Sequence, residues 1–186
     1  MQIAIQGALG SFHHEAALRL DPSAAIVPKQ TFADVFEAVI HQEVAHGLCA
    51  ITNTMYGPIH ETQSLLKQSS VLIINTMQLQ IAQQLIGPNR VSLQELANSS
   101  DVRVLSQAPA LAQVRLWLGT HLPHAVIEET HDTAASVQTV VSLAQPHTLA
   151  VAGRFAASTY SGTIVAEDIQ DRSNNYTSFV LFTKKG

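Results

Sequence analysis

Met1–Leu20 reads MQIAIQGALGSFHHEAALRL, and the change of period within it decides the fold class. Gln2 to Ile5 is a short run with β-branched residues, two glycines (Gly7 and Gly10) break it, and Ser11 stands where the N-cap of a helix FHHEAALRL belongs. Strand, glycine turn and helix follow one another directly. The unit recurs downstream. FADVFEAVIHQE places Phe32, Val35, Phe36, Val39 and Ile40 at helical spacing, with Thr31 as cap and Asp34 at the third helical position. HGLCAIT reads as a buried strand, NTMYGP as a loop, IHETQSLLKQ as a helix, and SVLIINTMQLQIAQQLI as one long strand or two joined strands.

The second half repeats the alternation. SLQELAN predicts a short helix, VRVLS a strand, PALAQVRLWLGTHL a single helix opened by Pro109, AVIEET a strand, and DTAASVQTVVSLA a helix capped by Asp132. TLAVAG, RFAASTY and TIVAEDI continue as strand, helix and strand; QDRSNN is a loop and YTSFVLF a last strand. This pattern predicts an α/β protein with parallel-rich sheets and helices on both faces. Two lobes are compatible with it if the chain crosses between them twice, at SVLIINTMQLQ and at AEDIQDRSNN.

Composition narrows the function classes. With 186 residues, 46% hydrophobic and 13% charged, the chain is globular rather than disordered. Its net charge is −4, and its 10 Lys and Arg are scattered singly, so no basic stripe is available to neutralise phosphates and nucleic acid is not an expected partner. The lone Cys49 cannot form an internal disulfide and reads as a buried apolar residue. No basic n-region precedes QIAIQG and no apolar run reaches the length of a membrane helix, so no signal peptide, no membrane and a cytoplasmic setting are expected.

Candidate site residues lie at strand ends. GALGSF offers backbone N–H groups and Ser11 at a helix N-terminus, which reads either as a tight turn with a capping serine or as a seat for a carboxylate or phosphate. Thr52, Asn53 and Thr54 follow a buried strand; Ser106 and Gln107 precede a helix; Asn174, Asn175 and Thr177 open the last strand. The adjacent His13 and His14 face different directions on a helix and read as solvated or capping residues, and no cluster has metal-ligand spacing. GALGS lacks the third glycine and the acidic residue of a dinucleotide site, and no lysine completes a phosphate loop, so neither cofactor nor metal is expected.

The order of these motifs resembles the prephenate dehydratase domain over essentially the whole chain. IAIQGALGSFHHEAAL is similar to the family's opening, Gly-Pro-x-Gly-(Ser/Thr)-(Phe/Tyr)-(Ser/Thr)-(His/Glu)-x-Ala-Ala. CAITNTMYGPIHETQSLL lies where the family has Val-Pro-Ile-Glu-Asn-(Ser/Thr)-x-x-Gly and a helix ending in Leu-Leu, and VLSQAPALAQVRLWL where it has Ser-His-Pro-Gln-Ala-Leu-x-Gln. DTAAS, AVAGRFAASTY and EDIQDRSNNYTSFVLF complete the series, the last resembling Ile-Gln-Asp-x-x-x-Asn-x-Thr-Arg-Phe.

The resemblance implies a two-lobed fold like a type II periplasmic binding protein, with the active site in the cleft. One lobe comprises residues 1–75 and 166–186 and the other is inserted at 76–165. It also implies a homodimer, and the cofactor-free conversion of prephenate to phenylpyruvate with loss of CO2 and water, on the route to phenylalanine. The regulatory ACT module that often follows has no counterpart in these residues, so feedback by phenylalanine through it is not expected.

Carried over position by position, Thr177 is the catalytic hydroxyl, and Ser11, Asn53, Thr54, Ser106, Asn175, Ser178 and Phe179 are substrate-binding positions. The departures are specific. Ser178 replaces the family arginine, Thr52 the glutamate, Asn75 and Thr76 a Gly-Glu pair, and Gln107, Ala108 and Pro109 the His-Pro-Gln. Loss of a bidentate arginine weakens the hold on a dicarboxylate, and Arg154 or Arg172 is a candidate to compensate. The implied activity is therefore weak or adapted; the alternatives are a decarboxylase acting on a related cyclohexadienyl acid and a catalytically silent small-carboxylate binder.

Overall fold

Gly7 (φ 93°) and Gly10 (φ 86°) both take the left-handed backbone that a Cβ disfavours, and across them the chain turns from strand β1 (Gln2–Gln6) into helix α1 (Phe12–Leu20). In the computed structural model, which describes residues 1–186, Ser11 caps that helix by accepting the His14 N–H, and His14 Nδ1 accepts the Gly10 N–H at 2.9 Å. Strand β2 (Ala25–Lys29) leads to α2 (Phe32–Ile40), whose start is the expected capping box. Thr31 Oγ1 accepts the Asp34 N–H at 3.1 Å, and the Asp34 carboxylate accepts the Thr31 N–H at 3.0 Å. β3 (His46–Asn53), the two-residue β4 (Gly57–Pro58), α3 (His60–Gln68) and β5 (Val71–Gln80) follow.

The next stretch contains β6 (Gln84–Gly87), α4 (Leu93–Ala97), β7 (Arg103–Ser106), α5 (Ala108–Gln113) and α6 (Arg115–His121). After these come β8 (Val126–Glu129), α7 (Thr133–Leu143), β9 (Thr148–Ala152), α8 (Arg154–Tyr160), β10 (Thr163–Ala166) and finally β11 (Tyr176–Lys184). The elements differ from the sequence reading in places, among them the strand β4 within NTMYGP, read as a loop. PALAQVRLWLGTHL forms two helices rather than one, because the Asp171 carboxylate accepts the Leu116 and Trp117 N–H groups at 3.0 and 2.9 Å and starts a new helix there. β2 has no counterpart in the sequence reading; Pro28 masks it, and it is an edge strand, where proline is tolerated.

The chain forms two compact units, Met1–Ile81 with Asn174–Gly186, and Ala82–Ser173. The crossings fall after residues 81 and 173 where the sequence placed them after 75 and 165, because β5 stays in register with β11 as far as Gln80 and β10 pairs within the second unit. In unit 1 the strand order is β2-β1-β3-β11-β5, with β4 attached to β3; β1 runs parallel to β2 and β3, and β11 antiparallel to β3 and β5. Unit 2 has the order β10-β6-β9-β7-β8, parallel at β7 and antiparallel at β6. Both sheets are thus mixed. The βαβ crossovers supply the parallel pairs, and the strands next to the crossings are antiparallel.

Each unit has its own core. In unit 1, α1 lays Ala16 and Ala17 on Ile3, Ile5, Leu48 and Phe179, while α2 and α3 cover the opposite face, where Phe36 stacks on Phe182 at 4.3 Å. Gly47 lies under that pair; a Cβ there would sit 2.5 Å from Phe182 Cζ, so the stack requires glycine. Unit 2 buries Leu85, Leu96, Val104, Leu118, Leu149 and Ile169. No helix is long and apolar enough to cross a membrane.

Candidate active site

Topology gathers the polar strand ends of unit 1 at one edge of its sheet. β1 and β3 are parallel and end there, while β11, antiparallel to β3, begins there. The helix after β1 packs on one face and the helix after β3 on the other. The crevice outside the ends of β1 and β3 is therefore a switch point, where α/β sheets bind ligands. Ser11, Asn53, Asn175 and Thr177 all lie at this end.

A β-bulge brings three of them together. Along β11, Phe179 and Leu181 face α1 and Val180 and Phe182 face α2, so Thr177 belongs to the α1 side and Ser178 to the other. On β3, Leu48 and Ala50 face α1, and strict alternation would send Asn53 to the opposite face. Instead Ser178 pairs with Thr52 and Phe179 with Ala50, leaving Ile51 as the extra residue. Asn53 thereby joins Thr177. Asn53 Nδ2 donates to Thr177 Oγ1 at 2.9 Å and to Asn175 Oδ1 at 2.8 Å, and its Oδ1 accepts the Met55 and Tyr56 N–H groups at 2.8 and 3.1 Å.

The geometry separates roles. Both Asn53 amide protons and its carbonyl are occupied, so Asn53 positions Thr177 and has no donor left for a ligand. Thr177 accepts from Asn53, and its own hydrogen meets no acceptor in the chain. Thr54 ties the loop down: its Oγ1 donates to the Asn174 carbonyl at 3.3 Å and accepts the Tyr176 N–H at 2.9 Å. Phe179 is core, 1% exposed. Ser106 lies in unit 2, fully buried, its hydroxyl donating to the Val151 carbonyl at 2.6 Å.

The departures from the family pattern are placed as clearly. Ser178 is not beside the Thr177 hydroxyl; it stands directly across from Thr52 in one row, with Gln78 on its other flank. The two positions where the pattern has arginine and glutamate are thus cross-strand neighbours, both now neutral hydroxyls. Pro109 lies in the first turn of α5. In unit 2, Arg154 is paired with Glu167 at 2.9 Å, and Arg172 is exposed.

Sequence reasoning missed His13. Its ring lies edge-on to Phe179 at 5.1 Å, its Nε2 accepts the Ala50 N–H at 3.2 Å, and burial lowers its pKa to about 4, so it is neutral. Spacing carried the signal, because His13 is three and four residues before the buried Ala16 and Ala17. Burial also raises the Cys49 thiol far above its usual range, which makes it inert. In unit 2, Ser99, Asp101 and His147 also meet, but Ser99 Oγ and Asp101 both lie at Nδ1 and Ser99 donates to Asp101. That arrangement is a clasp, not a proton relay, and the hydrogen bond to Asp101 raises the His147 pKa.

The prephenate dehydratase family model matches residues 3–186. The chain belongs to this family. It is 31% identical over 188 residues to a bifunctional chorismate mutase/prephenate dehydratase of Aquifex aeolicus, covering 100% of this chain and 49% of that protein. It is 32% identical over 185 residues to arogenate dehydratase 2 of Petunia hybrida, covering 100% and 45%. The chain therefore spans about half the length of these two relatives. A prephenate dehydratase of Arthrobacter aurescens, solved in complex with L-Phe, superposes with a TM-score of 0.87 at 24% identity, covering 100% of this chain and 61% of that one. A periplasmic substrate-binding protein of Coxiella burnetii shares the fold at a TM-score of 0.51 and 13% identity, covering 100% of this chain and 85% of its own. The α/β, periplasmic-binding-protein-like fold class expected from the sequence is borne out.

Proposed function

We propose that this chain converts prephenate, or a close cyclohexadienyl acid, to its aromatic product by concerted loss of CO2 and water. The observation that carries the reading is the Thr177 hydroxyl, which is held by Asn53 at the switch-point end of the sheet with its hydrogen uncommitted. As the C–CO2 bond breaks, its electron pair moves through the ring and expels the hydroxyl at the opposite carbon. Thr177 donates a hydrogen bond to that leaving oxygen, which takes one proton from solvent and departs as water, so that prephenate and one proton give phenylpyruvate, CO2 and water. The electrons released by decarboxylation are those the leaving group takes, so the step is redox-neutral and needs no external oxidant.

Ser11 and the N–H groups at the start of α1 suit a carboxylate. Homodimerisation and a cytoplasmic setting complete the proposal; the family resemblance supports the first and the buried, reduced Cys49 agrees with the second. Sedimentation of the purified chain tests the dimer.

The deciding assay adds prephenate and follows phenylpyruvate at alkaline pH, with a parallel arogenate arm read as phenylalanine. Product in either arm above the uncatalysed rate supports the proposal and names the substrate. A second reading, a silent carboxylate binder, is favoured by the neutral Thr52–Ser178 row. Calorimetric binding of prephenate without turnover would replace the first reading with the second.

A further inference from the structure

We propose that His13 is a positioning residue for Thr177, acting through the β3 bulge, and that it does so only as the neutral imidazole protonated at Nδ1. The proposal deepens the reading of Thr177 as the reacting hydroxyl and rests on it for the activity readout alone.

The chain of contacts is short. β1 pairs with β3 only as far as Ile5–Leu48, so the Ala50 N–H lies beyond the end of that ladder. His13 Nε2 accepts it at 3.2 Å. Ala50 is one flank of the bulge and pairs with Phe179, and the His13 ring packs edge-on against that same Phe179. His13 therefore holds both strands where Ile51 is left without a partner on β11. Without that extra residue Asn53 would face away from Thr177, and the 2.9 Å hydrogen bond that orients the hydroxyl would be lost.

The acceptor role fixes the tautomer. A ring that accepts at Nε2 carries its proton at Nδ1, and Nδ1 has no partner in the chain. Protonation would turn an N–H at Nε2 toward the N–H of Ala50, two donors facing each other. Nothing packed against the ring offsets this charge. α2 presents Phe32, with Asp34 turned into its own cap; β11 presents Phe179; β3 presents the Ala50 amide beside the neutral thiol of Cys49. On α1 itself, Glu15 is paired with Arg19 and His14 accepts from Gly10.

The test uses the full chain and two variants. Long-range proton–nitrogen correlation at pH 7 should show His13 protonated at Nδ1 and bare at Nε2; the opposite tautomer overturns the proposal. His13→Phe keeps an aromatic ring against Phe179 but removes the acceptor. It should shift the Asn53 side-chain amide resonances and lower kcat on prephenate about tenfold, with KM changed by less than about threefold. His13→Gln supplies a non-titrating acceptor; it should restore the Asn53 resonances and most of kcat, and abolish the acid limb of the pH profile near pH 4. If His13→Phe fails to fold, the tautomer and the His13→Gln profile still decide. Unmoved Asn53 resonances in a folded His13→Phe protein, or an acid limb that persists in His13→Gln, overturn the proposal. If the wild type turns over neither substrate, the dehydratase reading falls while the Asn53 resonances still test His13.

Discussion

Two adjacent rows of one sheet have opposite characters. In the row of Asn53 and Thr177, every polar atom of Asn53 is committed within the protein, and the side chains match the family pattern. In the next row, on the opposite face, Thr52 and Ser178 stand across from each other where the pattern has glutamate and arginine. Thr52 turns its hydroxyl to the Gly57 carbonyl at 3.2 Å and Ser178 is half-buried beside it. The difference teaches how such a site changes. A hydrogen-bonded hub cannot lose one member without stranding the others, whereas two opposed charges can be replaced together at little net cost, because each removes the other's partner.

The largest effect belongs to the first row. Thr177→Val should lower turnover by about two to four decades if that hydroxyl handles the leaving group. It should also cost about 1–3 kcal/mol of stability, since one buried Asn53 proton loses its acceptor. Steady-state kinetics with urea unfolding measure both, and full activity in the folded variant would remove the distinction between the rows.

Acid sensitivity comes next. His13 has a folded-state pKa of about 4 against 6.5 unfolded, so below pH 6.5 the unfolded chain binds a proton that the folded chain does not. The stability from neutral His13 is complete above pH 6.5 and is lost as the pH falls toward 4, a change of about 3 kcal/mol. Urea titrations at pH 7 and 4.5 should show this slope in the wild type and a flatter one in His13→Gln.

The second row responds more weakly. Ser178→Arg alone should not raise turnover, because the new cation faces Thr52 without a partner. Thr52→Glu with Ser178→Arg should be more stable than the two single changes predict, by about 0.2–1 kcal/mol, the range of a cross-strand ion pair. A rise in rate from Ser178→Arg alone would show that the two faces are not independent.

The smallest effect lies in unit 2 and has the opposite sign to His13. Asp101 raises the His147 pKa, so that pairing contributes fully below about pH 6.5 and fades as the pH rises through the folded value. His147→Gln should lower Tm slightly at pH 5.5 and leave it unchanged at pH 9.

Much of this was legible in the sequence. The Thr31–Asp34 box and the apolar spacing of Phe32 to Ile40 gave α2 without ambiguity, and the polar strand ends of the candidate site were visible, though grouped there with Ser106 of unit 2. What was not legible was set at long range. Nothing in the residues around Ile51 announces a bulge; it exists because β11 returns to pair with β3 in a register broken there. The break between α5 and α6 depends on Asp171, more than fifty residues away in sequence. His13 looked like one of a capping pair until the end of β1 left an amide for it to receive.

The two crossings carry a consequence for how the gene can be rearranged. Unit 1 leaves its sheet at Ile81 and returns at Asn174, and there Gln80 pairs with Tyr176 while the Ile81 N–H donates to the Asn175 carbonyl at 2.8 Å. The two cut ends are already the mouth of an antiparallel ribbon, one that a short turn would close as an ordinary hairpin. In genetic terms, the codons for residues 82–173 form a cassette set into a contiguous sheet, at a place where the length of what is inserted leaves the strand pairing untouched.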